Sequence, residues 1–82
     1  MREIDVHGMS VEQARNVILR EVEYAYQHNM MTVEVIHGFN NGNKIKTMVM
    51  HLSSNDHIGI KSVDSSLLNS GKSIINLVVQ FD

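Results

Sequence analysis

Two histidines in this chain stand in the same local setting, one in Ile4-Asp5-Val6-His7-Gly8 and one in Ile36-His37-Gly38. Each closes a short run of strand-forming residues, is followed by glycine, and precedes a stretch with helical periodicity. An imidazole of ordinary pKa, near ~6.5, serves as base or acid at neutral pH, so two of them can divide the proton transfers of phosphodiester cleavage. Asp5 lies two residues before His7, on the same side of an extended chain, where it can orient or polarise the ring. Asp5, His7 and His37 are therefore the candidate catalytic residues. One carboxylate and two imidazoles also make an incomplete set of metal ligands, so the candidate cofactors are none or a divalent cation such as Mg. RNA carries its own nucleophile in the 2′-OH; DNA needs a water and, with it, a cation.

The second histidine opens a loop that suits an oxyanion. Gly38-Phe39-Asn40-Asn41-Gly42 concentrates residues that tolerate left-handed backbone, and successive N–H groups in such a loop can cradle a phosphate. Lys44 and Lys46 follow in the first turns behind it. Gly8 supplies the corresponding turn after His7. The Gly-Lys-Ser/Thr ending of an NTP-binding loop is absent, and with it that loop's magnesium-linked hydroxyl. Phe39 can stack on an unpaired base, a contact worth about 1–3 kcal/mol where it forms. Gly8, Gly38, Phe39, Asn40, Asn41, Gly42, Lys44 and Lys46 are thus the candidate nucleic-acid contacts.

The elements that must position these groups follow from the pattern. Ile4 and Val6 alternate with Asp5 and His7, which predicts a strand over residues 4–6. Ser10 and Gln13 form a capping-box pattern, and Val11, Ala14, Ile18, Val22, Ala25 and Tyr26 recur at three-and-four spacing, which predicts a helix over residues 10–28 with Asn29 at its end. Residues 32–36 read as a second strand, and Ile45, Met48, Val49 and Leu52 as the stripe of a helix over residues 43–53. Residues 58–64 and 73–81 read as two more strands, joined by a turn over 65–72 with Gly71 as its pivot. The order β-α-β-α-β-β predicts an α/β chain whose first two strands are parallel, with a right-handed crossover. Both histidines would then lie at strand C-termini, where open α/β sheets bind ligands.

Eighty-two residues with 43% hydrophobic content hold one domain, residues 1–82. Seven Lys and Arg against nine Asp and Glu make a net charge of −2, which excludes a protein that grips nucleic acid by bulk charge alone. Any polyanion contact must be local. The first 41 residues hold 3 basic and 6 acidic groups and the remaining 41 hold 4 and 3. Helix one, with Glu12, Glu21 and Glu23, is expected to face away from a polyanion, leaving contacts to the second loop and helix two. The chain has no cysteine, which excludes disulfides, thiolate zinc sites and a thiol nucleophile. No apolar run approaches the ~18 residues of a membrane span, so a soluble, untargeted cytoplasmic chain is expected.

The two motifs, in this order and spacing, resemble those of the Smr (small MutS-related) domain family. That family's pattern is Leu-Asp-Leu-His-Gly before a long helix and His-Gly-x-Gly-x-Gly before a second one. Gly71-Lys72-Ser73 ahead of the last apolar strand is similar to the family's closing Gly-x-Thr segment, so the likeness spans nearly the whole chain. Two departures stand out: Asn40 replaces the middle glycine of the second motif, and Phe39 takes a position often basic. The resemblance implies a two-layer sandwich with a mixed four-stranded sheet and two helices, similar to the C-terminal domain of bacterial translation initiation factor three. It also implies binding of DNA or RNA, structured or ribosome-associated, with endonuclease or nicking activity. Asp5 and His7 match the first motif; His37, Gly38 and Gly42 match the second. The alternative, from another class, is a docking module without catalysis, excised from a larger MutS-related ATPase. His28, His51 and His57 are expected to be solvated, the six methionines to fill the core, and Lys61 and Lys72 to be ordinary surface charge.

Overall fold

The computed structural model describes residues 2–38 and 43–80. Six elements follow the predicted order: β1 (Arg2–Asp5), α1 (Val11–Gln27), β2 (Thr32–Ile36), α2 (Lys44–Met50), β3 (Ile60–Ser65) and β4 (Lys72–Leu77). The four strands make one mixed sheet in the order β1-β2-β4-β3. β1 and β2 are parallel neighbours, with Asp5 beside Ile36, whereas β4 pairs antiparallel with both β2 and β3. Placing β4 between β2 and β3 puts the start of β4 next to the end of β2, with Lys72 opposite Ile36.

α1 is stopped at both ends by local chemistry. The Gln13 N–H donates to the Ser10 hydroxyl and the Ser10 N–H donates to the Gln13 side-chain oxygen, closing the capping box. At the other end Asn29 takes φ 56° after the cap residue His28, and the Met30 and Asn29 N–H groups donate back to the Ala25 and Tyr26 carbonyls. This is the Schellman arrangement, which asparagine tolerates where other side chains are strained. α2 is shorter than its stripe predicts and ends at Met50, because Ser53 and Asp56 build a turn of their own in which the Asp56 carboxylate accepts the Ser53 N–H at 2.9 Å. β4 likewise ends at Leu77, where the Val78 N–H leaves the ladder for the Gly59 carbonyl.

The helices contribute one layer. Ala14, Ile18, Val22 and Ala25 of α1 and Val49 of α2 are fully buried against Val33, Val35 and Ile75 of the sheet, with Leu52, Ile60 and Leu77 nearly so. Each buried Val, Leu or Ile side chain among them contributes about 1.5–3 kcal/mol, which is what holds so small a sheet to its helices. Ile45 and Met48 sit at the edge of this core, as does Met9. Among the described residues the other sheet face has no helix on it. It carries Glu3, Asp5, Glu34, Lys72 and Asn76 by the strand alternation, and there Lys72 Nζ donates to Glu3 at 2.8 Å. Lys72 is therefore an ion-pair partner rather than free surface charge. Among the described residues no helix is long and apolar enough to cross a membrane.

Candidate active site

Strand alternation decides what each histidine can do. In β1, Val6 continues the inward side with Ile4, so Asp5 falls on the uncovered face and remains about half exposed. Its Oδ1 accepts two bonds from His7, one from the backbone N–H at 3.1 Å and one from the ring Nδ1 at 2.5 Å. A carboxylate only accepts, so Nδ1 carries the proton and Nε2 is the nitrogen left for chemistry. The His7 side chain is 68% exposed, so that nitrogen is open to solvent and to a substrate. The two bonds from His7 hold the Asp5 carboxyl below its ordinary pKa, the ring bond first and the backbone bond second.

Gly8 then turns the chain at φ 79°, a left-handed value that a side chain would strain. Gly38 does the same at φ 73° on the neighbouring strand, and a Cβ built there would lie 3.4 Å from the His7 Cβ. The two His-Gly turns therefore lie side by side at the C-terminal ends of the parallel strands. The Val6 N–H donates to the Ile36 carbonyl at 2.9 Å, which extends the parallel register up to these turns.

The rings diverge. His37 continues the inward alternation of Val33 and Val35 and is buried, with 6% of its surface exposed. Its Nδ1–H donates to the Gly38 carbonyl at 2.9 Å, which leaves Nε2 to accept the Ser73 hydroxyl proton, also at 2.9 Å. Ser73 is itself fully buried, with the Met50 sulfur 3.6 Å from its hydroxyl. Both nitrogens of His37 are thus satisfied inside the protein. A metal site shared by Asp5, His7 and His37 does not fit this arrangement, because His37 has no lone pair to offer and faces the other side of the sheet. Among the described residues no group of three or more His, Asp or Glu could hold a metal ion.

The closing segment supplies the support for the second turn. The Gly71 carbonyl accepts the backbone N–H of both His37 (2.9 Å) and Gly38 (3.1 Å), two residues before Ser73 reaches the His37 ring. Gly71 has no positive φ; it acts through its carbonyl rather than as the flexible pivot of its turn. Lys44 is exposed at the start of α2 and Lys46, two residues on, is partly covered. Phe39, Asn40, Asn41 and Gly42 lie outside the described residues.

The other histidines are not simply solvated. His57 accepts the Gly59 N–H at Nδ1 (2.9 Å) and donates from Nε2 to Glu23 (2.7 Å), while its ring meets Tyr26 edge-on. That fixes its tautomer and ties the end of α1 to the approach of β3. It also holds the Glu23 carboxyl below its ordinary pKa, with Gln27 assisting. His28 and His51 each cap a helix, with Nδ1–H donating to the carbonyl four residues back at 2.7 Å. The feature that sequence reasoning missed is the Ser73–His37 bond. Its only signal was the alternation in Val33, Val35 and His37, which already placed the ring on the core side.

Comparisons with known proteins agree with this architecture. No curated protein matches the chain. Among solved structures, the crystal structure of the Smr domain of Thermus thermophilus MutS2 superimposes with a TM-score of 0.74 at 19% identity, covering 95% of this chain and 99% of that one. The likeness is one of fold. The family model for the Smr domain matches residues 4–77, from within β1 to the end of β4, which takes in both His-Gly turns and the closing segment: the chain belongs to the Smr domain family, a family of nucleic-acid-binding domains.

Proposed function

We propose that this Smr domain binds nucleic acid at the edge formed by its two His-Gly turns and cleaves it there as a cytoplasmic endonuclease, with RNA the favoured substrate. The observation that carries the reading is the Asp5–His7 pair, in which the carboxylate holds the ring as its Nδ1–H tautomer and leaves an exposed Nε2 as the base. In the RNA reaction Nε2 takes the proton of a 2′-OH, the freed oxygen attacks the adjacent phosphorus, and the 5′-oxygen leaves. The leaving oxygen gains a proton from the imidazolium or from water, giving a 2′,3′-cyclic phosphate and a 5′-OH end. Asp5 stabilises the imidazolium as it forms. Gly8 and Gly38 let the backbone approach the phosphate, and Lys44 and Lys46, with Phe39, Asn40, Asn41 and Gly42, offer contacts for the strand. His37 acts in this scheme as a positioning residue that holds the second turn against Gly71.

A docking module without catalysis is the second reading, favoured by one observation: with His37 engaged on both nitrogens, His7 is the only one of the two rings available for proton transfer. The deciding experiment incubates the chain with labelled single-stranded RNA and with supercoiled DNA, each with magnesium and with chelator. The nuclease reading expects RNA cleavage that His7→Ala and Asp5→Ala abolish while binding persists. Binding without cleavage in every condition selects the docking module instead.

A further inference from the structure

We propose that the outer side of α1 carries a nucleotide subsite, centred on Arg20 and Asn16, that seats one nucleotide of a bound single strand. The proposal rests on the nucleic-acid reading above and gives it a second contact region. A groove of about 310 Å³ is lined by Met9, Gln13, Asn16, Val17 and Arg20. Its lining starts at Met9, two residues after His7 in the chain, and runs along α1 to Arg20.

Its chemistry fits one nucleotide of a single strand. Arg20 offers a planar guanidinium, which pairs with phosphate oxygens through two parallel bonds. The other arginines are committed: Arg2 to Glu21 and to the face of Tyr24, and Arg15 to Asp56 at 2.9 Å. Among the described residues Arg20 has no acidic partner. Asn16 can donate to and accept from the edge of an unpaired base, and Met9 and Val17 present apolar surface to a base or ribose. None of the five lining residues is acidic. The acidic character of α1 lies elsewhere: Glu21 is held by Arg2 and Glu23 by His57 and Gln27, while Glu12 is not part of the groove lining. The expectation that this helix turns away from a polyanion therefore applies to its other stripes and not to this one.

The test uses two probes. Adenosine 5′-monophosphate, titrated into the isotope-labelled chain with adenosine as the control lacking phosphate, is expected to move the amide signals of Met9, Asn16, Val17 and Arg20. Arg20→Gln is expected to weaken that binding about tenfold, as loss of a charge-assisted contact does. With labelled single-stranded RNA the same variant should lower the slope of log affinity against log salt by about 0.7, one phosphate contact. Signals that move only around Gly38 and α2, or an Arg20→Gln variant with unchanged affinity and salt slope, overturn the subsite. Neither readout requires cleavage. An uncleaved RNA that still depends on Arg20 leaves the subsite standing without the nuclease; cleavage by the wild type with a KM indifferent to Arg20→Gln and Asn16→Ala does the reverse.

Discussion

The two His-Gly turns are near copies in sequence and opposites in environment. His7 presents an open Nε2 beyond an acidic partner on the uncovered side of the sheet, whereas His37 is buried with a serine and a carbonyl on its two nitrogens. The two turns lie side by side, yet one ring keeps a nitrogen open towards solvent and the other is bonded on both nitrogens inside the fold. The difference comes from strand parity. Two adjacent parallel strands bring equivalent positions side by side, but His7 is in phase with Asp5 and His37 is in phase with Val33 and Val35.

The sharpest way to break this contrast is to remove each ring in turn. His7→Ala is expected to lower RNA cleavage by about 10²–10⁴-fold, the range for a lost general base, while a thermal melt shows little change. His37→Ala should do the opposite to stability: emptying a buried site and stranding the Ser73 hydroxyl should cost about 2–4 kcal/mol, read as a drop in denaturation midpoint. If His37→Ala leaves the melt unchanged, its supporting role is gone; if His7→Ala lowers the melt as much, the two rings do not differ in kind.

Ser73→Ala sharpens the comparison from the other side, since it leaves the His37 Nε2 without a donor. It should destabilise the fold by about 1–3 kcal/mol and leave the chemistry at His7 in place, measured as a lower melting point with an unchanged cleavage rate below that point. Replacing both Lys44 and Lys46 by alanine should weaken RNA binding and flatten its salt slope by up to about 1.4 if each meets one phosphate; a slope equal to the wild type's argues against contacts from α2.

The smallest expected effect is on acid stability. Asp5 has its folded pKa depressed by His7, so the stability it adds is present above the ordinary carboxylate value, near ~3.9, and is lost as pH falls through the folded value. Asp5→Asn should therefore make the melt slightly less sensitive to acid below about pH 4, and an unchanged pH profile would show that the exposed pair contributes no measurable stability.

Much of this was legible in the chain itself. Ser10 and Gln13 announced the start of α1, and the periodicity of Ala14, Ile18 and Val22 its buried face, because caps and amphipathic stripes are local signals. Asp5 beside His7 was legible for the same reason: residues two apart on a strand share a face. The ends of α2 and β4 were not, since the Ser53–Asp56 turn and the Val78 bond to Gly59 compete with patterns that would otherwise run on. Nor was the role of Ser73, thirty-six positions from His37.

Sequence alone determined the element order and the two glycine turns and put Asp5 and His7 on one strand face, all of which depend on neighbours within a few residues. Only the tertiary structure decided that β4 lies between β2 and β3, and with it that Gly71 and Ser73 meet His37. Strand order depends on which long-range pairing best buries the apolar faces, and no local pattern encodes that choice. It is this pairing that supplies the partner for the buried ring, while the exposed one keeps a nitrogen free.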